Sequence, residues 1–120
     1  MNRAALTGHS ILVVEDEPLI ALDIAETLQG AGASAVIAHS LSQAVQLVEL
    51  RHISAAVVDF LLDDSDTERL CEMLSDRAIP FVLYSGYDRS QEAWQRGVQV
   101  SKPARPGELV SAVARVCSSN

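Results

Sequence analysis

The chain has too little cysteine, too little positive charge and too few long apolar runs for several large classes of protein. Two cysteines, Cys71 and Cys117, in 120 residues cannot build the disulfide framework of a small secreted domain, and their spacing fits no metal-ligand motif. Both fall inside helical patterns and read as reduced packing residues, which points to a cytoplasmic protein. No apolar stretch approaches the ~20 residues that a membrane helix needs, and the opening Met-Asn-Arg-Ala-Ala-Leu lacks the apolar core of a signal peptide. Nine Lys and Arg against 16 Asp and Glu leave a net charge of -7, which gives no electrostatic footprint for nucleic acid. Neither a membrane nor nucleic acid is therefore expected as a direct partner. There is also no internal repeat, low-complexity tract or linker. A chain of this length forms one domain and buries roughly two-thirds of its unfolded surface in a single core.

What the chain does contain is regular alternation of short apolar runs with helical patterns. Residues 11–14 are apolar throughout, as suits a strand buried on both faces of a parallel sheet. Pro18 then opens a helix, where its fixed φ and missing donor do no harm, with Leu19, Ile20, Leu22, Ile24, Ala25 and Leu28 as the expected apolar stripe. Gly30 and Gly32 end it. Further strands are expected at 34–38, 54–58, 80–84 and 98–101. Helices are expected at 41–50 with Ser40 as its cap, at 66–76 with Leu70, Met73 and Leu74 buried, at 88–95 around Trp94, and at 106–116 with Leu109, Val110, Val113 and Val116 inward. Five strands alternating with five helices predict an α/β fold with a parallel sheet and right-handed crossovers. The run Gly30-Ala31-Gly32-Ala33-Ser34-Ala35 imitates a dinucleotide fingerprint, but it follows a helix instead of the first strand and reads as a C-cap and turn.

The ends of the strands carry the chemistry. Ala55-Ala56-Val57-Val58 stops at Asp59, Ile11-Leu12-Val13-Val14 runs into Glu15-Asp16-Glu17, and Phe81-Val82-Leu83-Tyr84 runs into Ser85-Gly86. Open α/β sheets build their sites at the carboxyl ends of strands. If these strands are neighbours, an acid, an acid pair and a hydroxyl share one edge.

Glu15-Asp16, Asp59, Ser85 and Lys102-Pro103, in order after strands one, three, four and five, resemble the receiver domain of two-component response regulators. The resemblance covers about residues 9–117 of a single domain spanning 1–120. It implies a flavodoxin-like (CheY-like) three-layer sandwich, with a five-stranded parallel sheet of order 2-1-3-4-5 flanked by five helices. It also implies that Asp59 accepts a phosphoryl group from the histidine of a sensor histidine kinase or histidine phosphotransfer protein. Mg2+ would be bound by Asp16 and Asp59 directly, by Glu15 directly or through water, and by the backbone carbonyl of Leu61. Lys102 would pair with the acyl phosphate, Ser85 would donate its hydroxyl to a phosphoryl oxygen, and the Lys102-Pro103 bond is expected to be cis. On this reading the protein is a signalling phosphoacceptor that catalyses only its own phosphotransfer and dephosphorylation. Its phosphorylated form would change contacts with a downstream protein target or with a second copy of the chain.

Several positions depart from the family's pattern. The aromatic usual three residues before the lysine is replaced by Gln99, so Tyr84 or Tyr87 either substitutes as the switch or serves as ordinary packing. The proline and glycine common after the acceptor are replaced by Asp63 and Thr67. The stretch between Ser85 and Lys102 is shorter than in most members, so a fourth helix is expected to be short, poorly ordered or displaced. Pro80-Phe81-Val82-Leu83-Tyr84-Ser85-Gly86-Tyr87 partly resembles the Pro-Phe-x-Phe-Ala-Thr-Gly-Tyr pattern of an atypical alphaproteobacterial subfamily. Leu61 and Tyr87 border the expected path of the hydrolytic water, and their bulk predicts a long-lived acyl phosphate. Asp63, Asp64 and Asp66 read as a solvated loop and helix start, and His9, His39 and His52 as structural or exposed. After Val116 only Cys117-Ser118-Ser119-Asn120 remain, so no output domain is expected. Two rival readings are a pseudo-receiver acting without phosphorylation and a phosphatase of the haloacid dehalogenase type. The second needs another acid two residues after the nucleophile, where this chain has Leu61.

Overall fold

A computed structural model describes residues 5–59, 64–85, 98–101 and 105–118. Five strands, β1 (Ser10–Val14), β2 (Ser34–Ala38), β3 (Ala55–Asp59), β4 (Phe81–Ser85) and β5 (Val98–Ser101), form one parallel sheet of order β2-β1-β3-β4-β5. Four helices are described, α1 (Pro18–Gly30), α2 (Leu41–Leu50), α3 (Asp64–Asp76) and α4 (Pro106–Ser118). The helix expected at 88–95 lies outside the described residues.

Strand alternation sorts the core into two layers. Leu12, Val14, Ala56, Val58, Phe81 and Leu83 pack with Ala44 and Val48 of α2 and with Leu70, Cys71 and Leu74 of α3. Ile11, Val13, Ala55, Val57 and Val82 pack on the other face with Ile24 and Leu28 of α1 and Leu109, Ala112 and Val113 of α4. Because both faces are covered, every residue of β3 is buried, Asp59 included. Each large aliphatic side chain withdrawn from water in this way contributes about 1.5–3 kcal/mol. Across the outer surface of α2 and α3, Arg77 Nη2 lies 3.5 Å from Glu49 Oε2; an exposed pair of this kind adds at most ~1 kcal/mol.

Local signals explain most boundaries. Ser40 caps α2, its Oγ accepting the Gln43 N–H at 3.2 Å. Pro18 occupies the first turn of α1. The stripe expected on α1 needs correction, since Leu19 and Leu22 are 75% and 49% exposed while Ala21, Ile24, Ala25 and Leu28 are buried. Those four follow the i, i+3, i+4, i+7 rule, and the two leucines fall off that row. Val110 and Met73 are only partly buried at the margins of their clusters. α3 begins two residues earlier than expected and takes in Asp64.

The core also reaches further toward the N-terminus than the sequence pattern indicated. Leu6 is fully buried, and its N–H donates to the Ala31 carbonyl at 2.9 Å. That approach requires Gly32. Its φ is +102°, and a Cβ there would sit 2.6 Å from Thr7 Oγ1.

Candidate functional site

Parallel register builds the site. Val14 pairs with Val58, so the next residue along, Glu15, comes beside Asp59. Asp59 in turn pairs with Tyr84, and Tyr84 with Val100. Residues in one row of a sheet project to the same face. Glu15, Asp59, Tyr84 and Val100 are thus a row at the carboxyl edge, with Tyr84 half-buried against the α1/α4 layer. Asp59 and Ser85 are each the last paired residue of a strand, where the sequence pattern placed them just beyond one.

Glu15 and Asp59 are both fully buried, as is Thr67 of α3. One oxygen of Glu15, Oε2, accepts the Glu17 N–H at 2.9 Å, while Oε1 is buried with no hydrogen-bond partner. Burial, first, and then the adjoining Asp59 carboxyl push the Glu15 carboxyl up from 4.5 to about 8; the Glu17 N–H opposes this, and Asp16 adds a smaller upward push. Asp16 itself is exposed at the rim. Of the two adjacent acids, Glu15 is therefore the buried one, set beside Asp59.

The Glu15 backbone is fixed from β2. Its N–H donates to the Ala38 carbonyl at 3.0 Å, and its carbonyl lies 3.0 Å from His39 Nδ1. The His39 N–H donates to Gln43 Oε1 at 2.6 Å, which ties this corner to the capped first turn of α2. His39 is exposed and makes a structural contact, in keeping with the sequence expectation, but its place beside Glu15 was not foreseen. Its signal was the one used elsewhere, a polar residue directly after an apolar strand.

Two buried carboxyl groups side by side, one with an unpartnered oxygen, are held in place against their own repulsion and desolvation. A small divalent cation relieves both. Among the described residues, no three His, Cys, Asp or Glu side chains converge as a metal-holding group. A caged Zn2+ site is not what the described residues form, whereas Mg2+ takes one or two carboxylates and retains water ligands. The all-oxygen pair Glu15 and Asp59, with Asp16 at the rim, fits Mg2+.

The remaining expected residues are distributed as follows. Ser85 ends β4 in register with Ser101, so its backbone reaches the same edge as Asp59. Gln99 pairs with Leu83, one row further in. Leu61, Gly86, Tyr87, Lys102 and Pro103 lie outside the described residues; Lys102 and Pro103 follow Ser101 in the chain. The cysteines take no part. Cys71 is buried in α3, its thiol pushed up to about 12 by burial and then by Glu68 and Glu72, and Cys117 is half-buried with its thiol also raised by burial.

Comparison with known proteins matches residues 11–114 to the response regulator receiver domain family. The heme response regulator HssR of Staphylococcus aureus is 32% identical over 111 residues, 88% of this chain and 50% of that protein. The chain thus spans about half the length of the curated relatives it matches. Among solved structures, a sensor protein from Polaromonas sp. JS666 superposes with a TM-score of 0.83 at 26% identity, covering 93% of this chain and 98% of the other. The response regulator TrrA of Thermotoga maritima, solved in complex with Mg2+-BeF, gives 0.81 at 21% identity over 90% and 98% of the two chains.

Proposed function

The chain belongs to the response regulator receiver domain family, the phosphoacceptor module of two-component signalling, and from that premise we propose that Asp59 is its phosphoacceptor. The observation that carries the assignment is the burial of Asp59 beside Glu15 at the carboxyl edge of the sheet. Thr67, the other buried polar side chain described, sits in a helix and offers no comparable nucleophile.

An oxygen of the Asp59 carboxylate attacks the phosphorus of a phosphohistidine on a sensor histidine kinase or histidine phosphotransfer protein. The new O–P bond forms an acyl phosphate, and the electron pair of the broken P–N bond returns to the histidine nitrogen. Transfer of this kind is mainly a matter of positioning and charge neutralisation. Glu15, Asp16 and Asp59, with the Leu61 carbonyl, would hold Mg2+, which when bound neutralises charge on the phosphoryl oxygens. To serve as a ligand Glu15 would have to give up the proton that burial favours on it. Lys102 supplies a fixed positive charge, and Ser85 a hydroxyl donor to a phosphoryl oxygen. Tyr84, in the row next to Asp59, stands in for the aromatic that Gln99 replaces, with Gly86, Tyr87 and Pro103 shaping access. The signal then leaves as a change in protein contacts, to a downstream protein or a second copy of the chain, in the cytoplasm. No helix among the described residues is long and apolar enough to cross a membrane.

Incubation with acetyl phosphate and Mg2+ tests the reading. Intact-mass spectrometry is expected to show one phosphate increment on the native protein and none on Asp59→Asn. No increment with either acetyl phosphate or a phosphorylated kinase would leave a phosphorylation-independent module. Turnover of unrelated phosphomonoesters would indicate a phosphatase.

A further inference from the structure

His39 occupies the same topological position on β2 that Glu15 occupies on β1 and Asp59 on β3, the carboxyl end of an apolar strand. Its ring Nδ1 is 3.0 Å from the Glu15 carbonyl oxygen. A carbonyl only accepts, so Nδ1 must carry the proton and donate. Glu15 is thereby held at three points: its N–H by the Ala38 carbonyl, its carbonyl by His39, and its Oε2 by the Glu17 N–H. The fourth polar atom, Oε1, is the one left buried without a hydrogen-bond partner.

We propose that His39 is a positioning residue for the acid pair: by fixing the peptide of Glu15 it sets the carboxylate for Mg2+ and so for phosphotransfer to Asp59. The inference rests on the proposed phosphoacceptor role. His39 is suited to the task because it is itself anchored. Its backbone N–H donates to Gln43 Oε1 at 2.6 Å, and the Gln43 N–H donates to Ser40 Oγ at 3.2 Å, so the ring is carried on the capped start of α2. Partners that orient a ligand residue without touching the metal are a general means of tuning metal affinity. The outer side of His39 is exposed, so replacing it removes the hydrogen bond without opening a core cavity.

The test compares His39→Ala, His39→Asn and His39→Gln with the native protein. An asparagine amide nitrogen falls near the place of Nδ1, whereas glutamine places its amide further out, near Nε2. Mg2+ affinity, read by amide chemical-shift titration, is expected to fall about three- to tenfold in His39→Ala, the effect of roughly one hydrogen bond. His39→Asn should recover most of that loss and His39→Gln little of it. The rate of phosphorylation by acetyl phosphate should fall in parallel at low Mg2+ and approach the native rate as Mg2+ is raised. In the metal-free native protein, the imidazole 15N spectrum should show a protonated Nδ1. Equal Mg2+ affinity in all four proteins overturns the inference, as does equal rescue by asparagine and glutamine. A fall in thermal stability with no change in Mg2+ affinity would also overturn it, reducing His39 to a structural contact. Failure of the native protein to take up phosphate would instead overturn the phosphoacceptor role, and the Mg2+ titrations would still decide the part played by His39.

Discussion

Replacing Glu15 by glutamine should make the metal-free protein more stable above neutral pH and less responsive to Mg2+. Burial and the neighbouring Asp59 raise the Glu15 carboxyl from 4.5 to about 8, so between those values the folded state holds a proton that the unfolded chain has lost. A group whose folded value is raised contributes stability that is full below about pH 4.5 and is lost as pH rises through about 8. Each pH unit of such a window is worth up to about 1.4 kcal/mol. Allowing for solvent at the sheet edge, a loss on the order of 2–3 kcal/mol is expected by pH 8. For a domain of this size that lowers Tm by roughly 10 °C. Glutamine resembles the protonated acid and does not titrate, so Glu15→Gln should lack this component. Differential scanning calorimetry in EDTA from pH 5 to 8 measures it, and the difference between the two proteins cancels the other titrating groups. With Mg2+ present the order should reverse, because the cation stabilises the native protein by mass action and the variant far less. A native Tm that holds level or rises relative to Glu15→Gln across this range would refute the reasoning.

Three further outcomes follow from particular residues. Gly32→Ala places a methyl 2.6 Å from Thr7 Oγ1 at a φ of +102°, and the urea midpoint should drop by the equivalent of about 1–3 kcal/mol. Ala78 has φ +59° just past α3, where its N–H returns to the Ser75 carbonyl at 3.0 Å; Ala78→Gly should raise stability by about 0.5–1 kcal/mol in the same assay. Leu61→Asn and Tyr87→Glu should each speed loss of the acyl phosphate, measured by the decay of the phosphate mass increment, if apolar bulk obstructs the hydrolytic water.

The sheet was legible because its strands are short apolar runs separated by helical spacing, and the 2-1-3-4-5 order followed from the family resemblance. The ends were harder. Asp59 is still in register with Tyr84, so the acid closes the strand instead of following it. Apolar content misled on α1, where Leu19 and Leu22 are exposed and the small Ala21, outside the expected stripe, is buried; helical position, not side-chain size, decides that face. Leu6 could not be read as core, because its burial depends on a turn made possible by Gly32, 26 residues away in sequence. In the site, the acids were visible as polar residues at the ends of apolar strands. The unequal burial of Glu15 and Asp16 was not, since two adjacent acids past the end of a strand look alike in sequence and only the paired register sets Glu15 beside Asp59. His39 obeyed the same strand-end rule and was passed over because β2 contributes no residue to the family's motif.

Where the phosphoryl group resides is the central question, and borohydride reduction of the phosphorylated protein answers it directly. The reagent converts an aspartyl phosphate to homoserine, which peptide mass spectrometry locates in the chain. Homoserine at position 59, with none at Asp16 or Asp64, is the predicted result. Homoserine at any other aspartate, or phosphate remaining on a histidine with position 59 unaltered, would contradict the account.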